Sequence, residues 1–338
     1  MRTESVPSPT SSPRRDVPRF RVATCPASYD PWTHLDDDHD DLWFAWSDGL
    51  RGDTFFARGA VGRWSPSRHQ DPFAAAARFV EQSRAHWPHL EVPAVVGGFS
   101  FGEASDAWPE LGAGLLWQPE ECWFQRRELG RAGVVALDGV SSPPRGVTTV
   151  PRRSSSLPGA SFPERGDYEA GVARAVAEIR RGTLEKVVLA RQVEFRAPDE
   201  ARFDPVQTLH RLRRAYPRSI VFGVGRGQRI AWVGASPETL VAARHGRAQA
   251  QAVAGTVDRG EHENRLLRSE KDRHEHELVA EDLLRRLAPL TRDLKRDGPR
   301  LVGAGSVAHL VTDIEGSLEG TLLDAVAALH PTPALGGY

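Results

Sequence analysis

The sequence predicts an α+β protein in which strands and helices alternate along one chain. Short apolar or aromatic runs broken by Gly and Pro recur from Phe20 to about Val140, such as Leu42-Trp43-Phe44-Ala45-Trp46 and Ala94-Val95-Val96-Gly97-Gly98-Phe99, and such runs are strand signals. Elsewhere apolar residues recur at three- and four-residue steps, the signature of helix. Two β-branched runs, Ser219 to Val224 and Ile230 to Val233, are joined by Gly225-Arg226-Gly227-Gln228 and read as an antiparallel hairpin.

Composition narrows the functional class. A chain of 338 residues with 40% hydrophobic and 26% charged content has enough apolar surface for a large core. Forty-four basic against forty-five acidic residues leave a formal charge of -1, so no global field recruits nucleic acid or an anionic membrane. Neither is expected as a partner. No run approaches the roughly 18 apolar residues that span a bilayer. Cys25 and Cys122 are too few and too far apart for a disulfide framework or a thiolate metal site, as in a reducing cytosol. A cytoplasmic location is expected.

In chain order, Met1 to about Arg19 is rich in Ser, Pro and Arg and reads as a disordered tail. Residues 20–140 form a mixed sheet-and-helix half, in which Phe73, Ala76, Ala77, Phe79 and Val80 mark a helix over Pro72 to His86. The acidic run His34 to Asp41 reads as a surface loop. Residues 141–166 carry repeated Pro, Ser, Arg and Gly, marking a long loop or linker. Residues 167–338 begin with a helix that Asp167 is placed to cap, with Tyr168, Val172, Ala175, Val176 and Ile179 on one face and Gly182 after its end. Lys186 to Val193 alternates like a strand, and a helix is expected around Leu209 to Leu212.

Several segments could carry chemistry. Ser269 opens a long helix in which Asp272 and Glu275, three apart, project from one face near the N-terminus, where the macrodipole favours carboxylates. Paired hard oxygens suit Mg2+; a capped, solvated first turn is the alternative. A zinc-protease H-E-x-x-H reading of His274-Glu275 fails because Leu278 stands where the second histidine belongs. In Gly234-Ala235-Ser236-Pro237-Glu238, Pro237 fixes the turn that carries Glu238. A desolvated Glu238 could act as a general acid, or it could simply start a helix. Lys186 is either a solvated strand end or, partly buried, a base. Ala254 to Gly260 reads as a small-residue loop whose backbone N–H groups and Thr256 hydroxyl could hold a carboxylate, or as a tight turn.

Taken in order, EKVVLAR (185–191), GASPE (234–238), AVAGTVDRG (252–260), SEKDRHEHELV (269–279), HLVTDIEG (309–316) and HPTPALGG (330–337) resemble the chorismate-utilising enzymes. That family includes isochorismate, salicylate, anthranilate and aminodeoxychorismate synthases. VGGFSF (96–101) and WQPE (117–120) are similar to its more variable N-terminal half. The resemblance implies an anthranilate-synthase-like fold: two large antiparallel sheets packed as a sandwich, with peripheral helices, interwoven into one domain. It also implies Lys186 as the base that activates water and Glu238 as the acid that protonates the departing hydroxyl. Glu275, supported by Asp272, would hold Mg2+. Gly255, Thr256, His309 and Ala334 would line the chorismate pocket.

Lys186 resembles the water-using branch, so no glutaminase subunit is expected. Ala334 is similar to the isochorismate synthase pattern, whereas salicylate synthases typically have threonine there. Isochorismate synthase is therefore the expected activity, with salicylate synthase or a non-catalytic binding role as alternatives. Relatives continue for roughly a hundred residues more, a stretch of several strands and helices, that supplies a second metal-binding glutamate and a substrate-gripping arginine. The chain as given is expected to be inactive alone.

Overall fold

A computed structural model describes residues 17–35, 41–66, 71–89, 91–100, 114–140, 159–197, 203–227, 230–260 and 263–335. The predicted tail up to residue 16, most of the predicted linker, and Gly336 and Gly337 lie outside these residues. In chain order, β1 (Phe20–Cys25), β2 (Leu42–Asp48), β3 (Asp53–Arg58) and β4 (Gly62–Trp64) precede α1 (Pro72–Arg84). Then come β5 (Val96–Phe99), β6 (Gly114–Gln118), β7 (Glu121–Arg126), β8 (Arg131–Leu137), β9 (Gly159–Phe162) and α2 (Arg165–Arg180). β10 (Gln192–Phe195) and α3 (Pro205–Ala215) lead to β11 (Ile220–Arg226), β12 (Ile230–Ser236), β13 (Ala242–Arg244) and β14 (Arg247–Asp258). α4 (Glu263–Arg268), α5 (Glu270–Leu287), β15 (Thr291–Ala304), β16 (Val307–Leu318) and α6 (Leu322–Leu329) complete the order.

The strands pair antiparallel. A seven-stranded sheet runs β1-β8-β7-β3-β2-β11-β12 and a four-stranded sheet runs β13-β14-β16-β15, with small sheets β4-β6-β5 and β10-β9 beside them. The expected hairpin is β11–β12, and β11 also pairs with β2, setting Phe222 opposite Trp46. Strands from both halves of the chain thus share one sheet. Buried Asp53 on β3 holds Arg126 at 3.0 Å and Arg244 of β13 at 3.5 Å, an ionic tie from the large sheet to the four-stranded one.

Packing differs between the sheets. The seven-stranded sheet is filled by large side chains, including Trp32, Trp43, Phe56, Trp117 and Trp123. On β14 the inward positions of the alternation are Ala248, Ala250, Ala252 and Ala254, all buried. α5 lies on that shallow face with Val279, Ala280, Leu283 and Leu287, and α6 adds Ala325 and Leu329. Among the described residues no helix is long and apolar enough to cross a membrane.

Several expectations need correction. Glu164, not Asp167, occupies the N-cap position of α2, which starts at Arg165 and leaves Asp167 inside its first turn. The strand expected from Lys186 shrinks to Gln192–Phe195, because its partner β9 offers only four residues. β9 itself falls within the expected linker. His34 is not a surface residue: it is fully buried and stacks on Trp123 at a centroid distance of 4.0 Å. Most of the Ala254–Gly260 segment is not a loop but the bulged end of β14, which runs to Asp258, since Gly255 at φ 75° lets two residues oppose one.

Candidate active site

Lys186 follows α2 through a turn whose Gly182 has φ 77°. The side chain then leaves solvent: Lys186 is only 7% exposed. Its amine donates to the Pro333 carbonyl at 2.8 Å and lies 3.5 Å from Glu275 Oε1. Segments 147 residues apart in sequence therefore meet at one nitrogen. A buried lysine needs such partners, because an unpaired charge at that depth is costly.

Glu275 sits on α5, whose start is fixed by Ser269: its hydroxyl accepts the Asp272 N–H at 3.2 Å. Lys271 reaches both carboxylates, 3.2 Å from Asp272 Oδ1 and 3.5 Å from Glu275 Oε2. Hydrogen bonding to Ser269, with Lys271 beside it, holds the Asp272 carboxyl below its ordinary range. Both oxygens of Glu275 thus face lysine nitrogens, positions that a bound cation could take. Among the described residues no three His, Cys, Asp or Glu side chains converge on one point. A Mg2+ ion here would accordingly be held by Glu275 and Asp272 and complete its shell with substrate oxygens and water, which suits its coordination habits.

Glu238 follows β12 in a turn that Ser236 closes: its hydroxyl accepts the Glu238 N–H at 3.2 Å and donates to the Glu238 carbonyl at 3.1 Å. Burial pushes the Glu238 carboxyl up to about 7, against the opposing pull of Lys186 and a Val253 backbone hydrogen bond. It is thus half-protonated near neutrality, the state a general acid needs. Across the β14–β16 ladder Thr256 opposes His309, and its hydroxyl lies 3.0 Å from His309 Nδ1. Burial keeps His309 below the ordinary histidine range, so the ring is neutral. A Cβ on Gly255 would lie 3.4 Å from the Asp272 Cβ, an ordinary contact; the glycine serves its positive φ of 75°. Ala334 packs against the core under α5.

Three features of this arrangement are absent from the residues singled out by sequence. Pro333 acts through its carbonyl, which no side-chain pattern reveals. Lys271 was legible as the i,i+4 partner of Glu275. His276, set aside with the failed zinc motif, is buried and bonded to Thr312 at 2.7 Å. A cavity of about 770 Å³ lies between the two large sheets, lined by residues such as Trp46, Arg51, Arg218, Gln249 and Asp313. Lys186, Glu238 and Glu275 do not line it. Among the described residues the ionisable cluster, rather than the volume, marks the candidate site, because it places an acid of raised pKa near a buried amine.

Residues 145–338 match the family described as chorismate binding enzyme. The chain is 41% identical over 189 residues to the salicylate biosynthesis isochorismate synthase of Pseudomonas aeruginosa, covering 53% of this chain and 39% of that protein. It is 35% identical over 188 residues to the isochorismate synthase EntC of Escherichia coli K12, covering 53% and 48%. The chain therefore spans less than half the length of these relatives. The fold resembles the menaquinone-specific isochorismate synthase MenF from Escherichia coli, with a TM-score of 0.75, 22% identity and coverage of 96% of this chain and 77% of that one. It also resembles anthranilate synthase component I from Streptococcus pneumoniae, with a TM-score of 0.59, 16% identity and coverage of 100% and 77%. The match over more than half of its residues and the shared architecture establish that the chain belongs to the chorismate-binding enzyme family.

Proposed function

We propose that this site converts chorismate to isochorismate with water as the nucleophile. The observation that carries the reading is the buried Lys186 amine, 3.5 Å from Glu275, in electrostatic contact with a Glu238 carboxyl whose pKa stands at about 7. One group is placed to take a proton and the other to give one. Lys186 removes a proton from water as its oxygen adds to one ring carbon, and Glu238 donates its proton to the hydroxyl that leaves another. Water consumed equals water released. Thr256, His309 and the backbone at Gly255 orient the substrate, with Ala334 leaving the adjoining wall small.

Glu275 and Asp272 would hold Mg2+, which when bound supplies charge neutralisation at the ring carboxylate while the double bonds shift. Water rather than ammonia as nucleophile removes the need for a glutaminase subunit. The product would serve menaquinone, siderophore or salicylate biosynthesis in the cytoplasm.

The test is to incubate the 338-residue chain, which is expected to be inactive alone, and a version extended to the length of its relatives, with chorismate and Mg2+ and to separate the products by liquid chromatography. Isochorismate formation that Lys186→Ala lowers about 10²–10⁴-fold, the usual worth of a positioned acid or base, supports the reading. Undiminished turnover in Lys186→Ala overturns the role of that residue. Salicylate as the sole product overturns the specificity assigned to Ala334.

A further inference from the structure

The helix that bears Glu275 rests on a strand face of small side chains. Its partners on β14 are Ala250, Ala252 and Ala254, whose short side chains make neither deep ridges nor grooves. Interlocking ridges are what normally hold a packed helix at one azimuth. A turn of α5 about its axis would move Asp272 and Glu275 away from Lys186, and the alanines of β14 resist it less than larger side chains would.

Buried polar contacts of His276 oppose such a turn. His276 is 1% exposed and Thr312 on β16 is 0% exposed, and His276 Nε2 lies 2.7 Å from Thr312 Oγ1. The bond is directional where the surrounding contacts are not, and rotating the helix would strand two polar groups in an apolar core. His276 also has a backbone hydrogen-bond partner at Ala254 on β14, whereas the tie from Glu277 to Arg296 on β15 at 2.6 Å and 3.0 Å is solvent-exposed and therefore weaker as a constraint. His276 immediately follows Glu275 in sequence, so whatever fixes one side chain fixes the direction of the other.

We infer that His276 and Thr312 are positioning residues: their buried hydrogen bond sets the rotation of α5 and thereby aims Glu275 and Asp272 at a divalent cation and at Lys186. The inference rests on the proposed metal-binding role of those carboxylates, and its test needs no turnover.

Thr312→Val removes the hydroxyl at nearly constant shape, and Thr312→Ser restores it. Mn2+ binding would be followed by electron paramagnetic resonance on the full chain and these variants, with folding checked by circular dichroism. Alongside, the acylation rate of the Lys186 amine, read by peptide mass spectrometry, reports whether Glu275 still faces it. The expected result is a folded Thr312→Val protein with Mn2+ affinity lowered about tenfold and Lys186 acylated several times faster. Thr312→Ser should stand close to the parent, and Glu277→Gln should change either quantity less than twofold. Unchanged Mn2+ affinity and acylation in a folded Thr312→Val protein overturn the inference. If the parent chain binds no Mn2+, the metal reading fails by itself, and the acylation rate alone then decides whether the pair sets the helix: faster labelling in Thr312→Val upholds it and equal labelling overturns it.

Discussion

Helices α2 and α5 flank the same lysine and announce themselves in sequence by the same periodicity, yet they end in opposite environments. α5 buries His276, Val279, Ala280, Asp282, Leu283 and Leu287. α2 buries no residue: Val172, Val176 and Ile179 remain 37–39% exposed, and its traced link to the lysine segment is a long contact from Tyr168 Oη to the Leu189 carbonyl at 3.5 Å. An amphipathic pattern therefore specifies a helix and the face that would pack, but not what packs there. α5 carries its functional groups on a braced element. α2 delivers Lys186 from an open one, and the amine is held from elsewhere, by Pro333 and Glu275.

This contrast can be broken by substitution. Leu283→Ala on α5, at a position 1% exposed, should lower the unfolding free energy by about 2–5 kcal/mol, measured by urea denaturation. A loss under 1 kcal/mol would mean that α5 is not braced as described.

Glu238→Gln should have the next largest effect, and it depends on pH. A carboxyl raised from 4.5 to about 7 in the folded state holds its proton more tightly there than in the unfolded chain. Its favourable contribution is fully present below pH 4.5 and is lost as pH rises through about 7. At pH 8 Glu238→Gln should be more stable than the parent by roughly 2–3 kcal/mol, and the two should converge in acid. Parallel stability curves would show that the carboxyl is not desolvated. In the active protein the same titration should produce a falling limb of kcat above pH 7, absent in Glu238→Gln.

Ala252→Leu, at a fully buried position beneath α5, should cost about 1–3 kcal/mol through overpacking. Val176→Ala on α2 should stay within about 0.5 kcal/mol, the range of surface substitutions. Hydrogen exchange would sharpen the difference, since amides of α2 should exchange well before those of α5. Equal protection would require that α2 be covered by something beyond the described residues.

Much of this architecture was legible in the sequence because it depends on local physics. The spacing of Phe73, Ala76, Ala77 and Val80 specified α1, and Asp71, accepting the Phe73 N–H at 2.9 Å, fixes its start. β-Branched runs around a Gly-rich turn specified the β11–β12 hairpin, and Ser269 with Asp272 and Glu275 marked the start of α5. The misreadings arose where a partner decided the outcome. The Lys186 segment reads as strand, but a strand exists only as far as its neighbour pairs with it, and β9 stops after four residues. His34 reads as surface, but stacking on Trp123 from β7 pulls it inside.

The sequence by itself determined the identities and local frames of the chemical groups: a lysine after a helix, a glutamate fixed by proline, two carboxylates one turn apart. Tertiary structure alone decided which of them meet and in what dielectric. The amine of Lys186 is useful only because Pro333 and Glu275 reach it, and Glu238 stands at about pKa 7 only because surrounding chain removes its water. Proximity and desolvation are properties of packing between distant segments, which no spacing along the chain contains.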